Sequence, residues 1–277
     1  MDQTSTPAEL QIRKLVATDL PFAQTVRELA GWNQTDKDWL RFIEHEPDGC
    51  FLAEWNGQPA GTVTTTAYGT DLAWIGMMLV HPDFRRRGIA TELMTKAIDY
   101  LKAKEIRCIK LDATPDGEPV YARLGFQAEW RLNRWEKECA LTAKVESGGS
   151  AIENLASMDV EAFGTKRLTW LQKLERDSRW VRVREDGFGM VREGMRANYV
   201  GPIMAHDPAV GCSIARELID GLNGRTFWDI PCDNEPCVAL ANELGFEPVR
   251  DLLRMWLGEN VAGDPRKQFA LGDPATG

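Results

Sequence analysis

The chain repeats itself. Trp74-Ile75-Gly76 returns 125 residues later as Tyr199-Val200-Gly201, and at the same spacing His81 meets His206, Ile89-Ala90 meets Ile214-Ala215 and Glu92-Leu93 meets Glu217-Leu218. Leu124-Gly125-Phe126 returns as Leu244-Gly245-Phe246. Several ungapped matches in one order point to duplication, so the 277 residues are expected to fold as two domains on one plan. The boundaries read as a first domain over residues 1–142, a linker over 143–150, a second domain over 151–260 and a tail over 261–277. Glu146-Ser147-Gly148-Gly149-Ser150 has linker composition, and the Gly, Pro and Asp of the tail predict a loose segment.

Within the first domain, strand and helix signals alternate. Gln11–Val16 reads as a strand, and Asp19-Leu20-Pro21 opens a helix to about Ala30. Thr35 with Asp38 three residues on makes a capping box for a second helix to about Glu46. Cys50–Trp55 and Pro59–Ala67 are apolar runs joined at the hairpin turn Asn56-Gly57. Leu72–Val80 is a further strand. Ile89, Leu93, Met94, Ala97, Ile98 and Leu101 share one face of a helix over Gly88–Lys102. A strand over Ile106–Leu111, a short helix over Glu118–Leu124 and a strand over Phe126–Trp135 complete the unit.

Composition excludes more than it selects. A net charge of −9 argues against general binding to nucleic acid or to an acidic membrane surface. The N-terminus lacks a signal-like apolar core and no window is long and apolar enough to span a bilayer, so a cytoplasmic protein is expected. The six cysteines are scattered and read as buried thiols. With three histidines and no paired ligand motif, no metal is expected. No Gly-x-x-x-x-Gly-Lys-Ser/Thr occurs, and Gly187-Phe188-Gly189 lacks a third glycine and reads as a hairpin turn.

One segment carries chemistry. Val80-His81-Pro82-Asp83-Phe84-Arg85-Arg86-Arg87-Gly88-Ile89-Ala90 is a strand end, a turn, three arginines, a glycine and the start of an apolar-periodic helix. The first turn of a helix leaves N–H groups unpaired under partial positive charge, which suits a pyrophosphate. Gly88 lets the backbone approach phosphate, and the arginines add forked cationic donors. Arg85-Arg86-Arg87-Gly88-Ile89-Ala90, with Tyr121-Ala122-Arg123-Leu124-Gly125-Phe126 downstream, resembles the signature of the Gcn5-related N-acetyltransferase (GNAT) superfamily over Gln11 to about Trp135. Gly31-Trp32-Asn33-Gln34-Thr35, Asp112-Ala113-Thr114-Pro115 and the run from Asp159 to Arg167 resemble a subgroup in which a second, degenerate copy follows.

The resemblance implies an α/β protein with a mixed sheet, the acyl-CoA N-acyltransferase fold, in tandem. It implies acetyl-CoA as co-substrate, held by Met78, Leu79, Val80, Arg85, Arg86, Arg87, Gly88, Ile89, Ala90 and Thr91. The pantetheine arm would lie along the fourth strand as an added strand. Tyr121 matches the family tyrosine that protonates the departing sulfur. Trp32, Asn33 and Trp74 are candidates for the acceptor pocket. The general base is not assigned: Asp71 and Asp112 are candidates beside a water-mediated route. In the second copy the aligned positions read Val210-Gly211-Cys212-Ser213 and no phenol stands for Tyr121, so weak acetyl-CoA binding is expected there. The implied reaction is direct acetyl transfer to a primary amine of a small molecule. A protein or peptide acceptor, a non-catalytic acyl-CoA sensor, and a homodimeric state remain open.

Overall fold

A computed structural model describes residues 9–145, 148 and 152–277. These form two compact units. The first combines the chain up to Thr66 with Ile75–Lys104, and the second combines Ala67–Trp74 with Glu105–Gly277.

In the first unit, strand β1 (Leu10–Lys14) leads to helices α1 (Leu20–Leu29) and α2 (Asp36–His45). Strands β2 (Phe51–Trp55), β3 (Gln58–Tyr68) and β4 (Leu72–Val80) follow, then helix α3 (Ile89–Ala103). β1, β2 and β3 pair antiparallel in sequence. The Asn56-Gly57 turn has φ of 50° and 75°, the mirror-image turn whose twist matches the flanking strands. The capping box of α2 forms as read: Thr35 N–H donates to Asp38 Oδ2 at 2.7 Å and Thr35 Oγ1 at 2.8 Å. The apolar face of α3 is buried at all six positions expected from its periodicity. Each such aliphatic side chain contributes about 1.5–3 kcal/mol to folding.

The second unit holds β5 (Cys108–Ala113), α4 (Glu118–Arg123) and β6 (Gln127–Cys139). It continues with α5 (Ala156–Phe163), α6 (Leu168–Asp177), β7 (Trp180–Arg184), β8 (Gly187–Arg192) and β9 (Asn198–Ala205). Helix α7 (Pro208–Asp220), β10 (Gly224–Pro231), α8 (Glu235–Glu243), β11 (Glu247–Gly258) and β12 (Gln268–Ala270) complete it. From the two helices α5 and α6 onward, the element order repeats that of α1 to β6, as the internal sequence matches require.

Strand order within this unit departs from the sequence order of the copies. It runs β5-β11-β6-β10-β9-β8-β7. The last strand of the second copy, β11, lies antiparallel against β5 of the first. The last strand of the first copy, β6, lies antiparallel against β10 of the second. The copies have exchanged final strands, and β6 and β11 pair with each other between them. Two buried bidentate ion pairs mark the exchange. Arg254 of β11 grips Asp112 of β5 with two bonds of 2.9 Å. Arg134 of β6 grips Asp229 of β10 at 2.8 and 2.7 Å, and Tyr199 Oη donates to the same carboxylate at 2.7 Å.

Four expectations need correction or delimiting. The cysteines are not all buried: Cys232, just past the end of β10, is exposed and Cys212 on α7 is half-buried. The tail is not loose. Gln268–Leu271 is buried and β12 pairs with β9, because its apolar side chains and backbone bonds are taken up inside the second copy. Gly187-Phe188-Gly189 opens buried strand β8 and is not a turn; a Cβ on Gly189 would stand 2.6 Å from Ile214 of α7, so the glycine permits close packing of helix on strand. Of the 143–150 linker, residues 146, 147, 149 and 150 lie outside the described residues, while Gly148 bridges to Arg182.

Replacing Arg134 by Met would leave Asp229 buried without its cation, which is expected to cost about 3–5 kcal/mol. A denaturant titration checks this: the midpoint should fall strongly, and fluorescence from the tryptophans and far-UV circular dichroism should shift together.

Candidate active site

The candidate site begins where β4 ends. Its strand is irregular at Met77, whose φ of 48° is left-handed although the residue carries a side chain. Such a conformation costs about 1–2 kcal/mol. The Met77 carbonyl accepts the Thr62 hydroxyl at 2.9 Å, which fixes the local twist. Nothing in the residue types announced this irregularity. After Val80, His81 N–H donates to Ala60 O, and a single turn over Pro82–Phe84 turns the chain. His81 serves that turn: its Nδ1 accepts Asp83 N–H at 3.3 Å.

The arginine segment is a loop held open by two left-handed residues. Arg86 has φ 60° and Gly88 has φ 80°, and Gly88 is the N-cap of α3. Arg85 before them is extended, so the backbone bends sharply between β4 and α3. Gly88 has no side chain with which to cap, so the first-turn amides of α3 receive no side-chain acceptor. Arg85, Arg86, Arg87 and Gly88 are exposed, whereas Ile89 is buried and Ala90 half-buried. Arg85 Nε donates to Val80 O at 3.3 Å, and Arg87 donates to Asp83 O at 3.0 Å while its guanidinium lies 5.3 Å from the Trp55 ring centre. The loop is thus preformed, with its cations facing water. The structure brings Met78, Leu79, Val80 and Arg85–Thr91 together within the first unit, on the strand end and helix start that the sequence assigned to them.

The second copy is built differently at the aligned place. Its helix α7 starts at Pro208 and runs without a break through Val210-Gly211-Cys212-Ser213, so no loop forms. Asp207 caps it, accepting Ala209 N–H on its side chain at 2.7 Å, and Pro208 removes another amide. A carboxylate of the chain occupies the end of this helix.

Tyr121 lies on α4 in the second unit, half-buried, its ring edge toward Phe126 at 6.2 Å. Burial pushes its phenol up to about 12, so the hydroxyl keeps its proton throughout the neutral range. The two carboxylates considered as a base differ in surroundings. Asp112 is fully buried against Arg254, and Asp71 pairs with Arg107 at 3.1 Å.

Of the acceptor candidates, Trp32 is half-buried and Asn33 buried, both in the loop between α1 and α2 in the first unit. Trp74 does not stand at an open mouth. It is wholly buried, Arg254 lies 4.4 Å from its ring centre, Phe163 stacks at 6.1 Å, and its indole N–H donates to Pro274 O at 3.1 Å. The sequence placed it correctly on β4 but contained no sign that a segment 200 residues later would cover it. Among the described residues no cluster of three His, Cys, Asp or Glu side chains could hold a metal, and no helix is long and apolar enough to cross a membrane.

Known proteins share this pattern. Residues 12–126 match a family profile described as the acetyltransferase (GNAT) family, and residues 155–270 match one described as an acetyltransferase (GNAT) domain. An acetyltransferase of Pectobacterium atrosepticum is 33% identical over 102 residues, 36% of this chain and 72% of its own length. An N-acetyltransferase of Methanocaldococcus jannaschii is 33% identical over 113 residues, which span 36% of this chain and half of that protein. The holothin acyltransferase of a Pseudoalteromonas species is 23% identical over 87% of this chain and 85% of its own length. Among solved structures, one from Pyrococcus horikoshii superimposes over 100% of this chain and 99% of its own with a TM-score of 0.82 at 24% identity. A tandem GNAT protein from the clavulanic acid biosynthesis pathway covers 90% of this chain and 98% of its own, with a TM-score of 0.65 at 15% identity.

Gly88 tests the left-handed backbone of this loop directly. A Cβ there meets no neighbour within 4 Å, so Gly88→Ala adds no clash and leaves only the backbone penalty of its positive φ. The variant should lose about 1–2 kcal/mol of stability, read in a thermal melt, without disturbing the core.

Proposed function

The chain belongs to the GNAT acetyltransferase family and carries two copies of its domain, and from that premise we propose that the first copy alone transfers acetyl from acetyl-CoA to a primary amine of a small molecule. The observation that carries this reading is the contrast at the two helix starts. In the first copy the α3 amides lack a side-chain cap and three exposed arginines flank them; in the second, Asp207 already takes the corresponding place. A cofactor pyrophosphate would accept the amides of Gly88–Thr91, and Arg85 and Arg86 would screen its charge.

Chemistry follows from positioning. The acceptor amine attacks as the free base. Its nitrogen forms a bond to the thioester carbonyl carbon, and the carbonyl becomes an oxyanion that backbone donors near Leu79 and Val80 would stabilise. Collapse breaks the carbon–sulfur bond. In the role that the resemblance gives it, the Tyr121 hydroxyl would give its proton to the leaving sulfur, and the amine proton would leave through water; Asp112 is buried against Arg254. Holding amine and thioester in line supplies much of the acceleration. Trp32 and Asn33 are the side chains assigned to the acceptor. A small-molecule acceptor is supported by the relative that matches over most of both lengths, which is named for holothin.

Mixing the chain with acetyl-CoA and a panel of amines, and following free thiol, tests the reaction class. Release with small amines is expected. Release with peptides alone would move the acceptor to protein, and tight cofactor binding with no release would make the chain a sensor.

Tyr121→Phe should lower kcat by about 10²–10⁴-fold while the affinity for acetyl-CoA stays within twofold. Because the Tyr121 phenol is pushed up to about 12, kcat should rise with pH as the acceptor loses its proton and then stay level, with no alkaline fall from this group below about pH 10. Arg85→Ala should weaken cofactor binding, and the difference from the parent chain should shrink as salt rises.

A further inference from the structure

The structure assigns the second copy a cofactor-type slot that this chain fills with its own residues, so that each chain offers acyl-CoA a single site. This rests on the reading of the first copy as the working one, and goes beyond it by naming what closes the second.

The registers define the slot. β9 and β10 run parallel, but their pairing covers only Asn198–Val200 against Thr226–Trp228. Beyond Val200, β9 continues to Ala205 and β10 to Pro231. The opposite edge of β9 is taken by β8 along Tyr199–Ala205. The edge left free is therefore the one that faces β10. β12 occupies it, antiparallel, with Gln268 opposite Met204 and Ala270 opposite Ile203. On its other side Leu271 N–H donates to Asp229 O of β10 at 3.0 Å. β12 is thus an extended segment inserted between two parting parallel strands. The sequence resemblance assigns the same relation to pantetheine and the fourth strand in the first copy.

The fit is built on several independent contacts. Trp228 Nε1 donates to Phe269 O at 2.7 Å, and Asn234 Nδ2 donates to Gln268 O at 2.9 Å. The Phe269 ring packs so closely on Gly211 of α7 that a Cβ there would stand 2.4 Å away. Gly201 is equally constrained: φ is 139°, and a Cβ would fall 2.0 Å from Leu271 O. Gly201 and Gly211 are where the second copy makes room for the segment. Together with Asp207 at the α7 N-terminus, β12 replaces both parts of a nucleotide-thioester ligand: a carboxylate stands for the phosphate, and a peptide strand stands for the arm. Arg192 then holds Gly272 O at 2.5 Å, Tyr68 Oη donates to Thr276 O at 2.8 Å, and Trp74 holds Pro274 O, so the segment is tied down well past the slot.

Calorimetric titration and hydrogen exchange of the full chain with acetyl-CoA test this. One site per chain is expected, with slower exchange in peptides covering Gly88–Thr91 and no change in those covering Ile203–Ala205 or Asp207–Gly211. In Phe269→Ala, exchange at Ile203–Ala205 should rise at least tenfold while Thr62–Thr66 is unmoved, and millimolar pantetheine should slow it again. Two sites per parent chain, or cofactor protection at Ile203–Ala205 in the parent, would overturn the proposal even if the variant fails to fold. So would a folded Phe269→Ala whose exchange at Ile203–Ala205 matches the parent or ignores pantetheine. No protection at Gly88–Thr91 would overturn the first-copy reading alone, because the pantetheine response of the variant does not depend on it.

Discussion

The exchange of β6 and β11 is the constraint on which the second unit depends. Each copy ends in a strand that the other needs, and each exchanged strand brings a buried arginine to a carboxylate on its host: Arg254 to Asp112, Arg134 to Asp229. A buried ion pair is costly to desolvate and adds little net stability, but removing either partner leaves a charge with no compensation. Such pairs reject alternatives. A shift of β11 along β5 by one residue would turn Arg254 to the other face and leave Asp112 alone. The pairs therefore specify the exchanged register more than they strengthen it.

The exchange also ties the two copies together: the final strand of each pairs with a strand of the other. The second copy retains the helix-after-strand plan, but α7 has grown backward over the arginine positions and ends on Asp207, while β12 covers the spare edge of β9. The helix end has a side-chain acceptor and the edge of β9 has a partner strand.

The first copy keeps the opposite features at a cost. Met77 and Arg86 hold left-handed backbone without being glycine, and the α3 terminus has no side-chain cap. Left-handed backbone at non-glycine residues, an uncapped helix start and three exposed arginines thus fall together between one strand and the next helix, where the cofactor is proposed to bind.

The sequence determined by itself most elements of the first copy and their kind. The face of α3, the Thr35–Asp38 box, the Asn56-Gly57 turn and the Arg-Gly-x-Ala loop depend on neighbours a few residues apart, and local spacing carries that information. It also revealed the duplication and the lost arginines, because both are written as residue identities. Only the tertiary structure decided which strand pairs with which. No local pattern in β6 or β11 names its partner strand, and the exchange depends on contacts such as Asp112–Arg254 across 142 residues. For the same reason the tail read as loose and Trp74 as open: glycine, proline and aspartate describe the flexibility of a free segment, while its burial depends on a gap between β9 and β10 that no local pattern encodes.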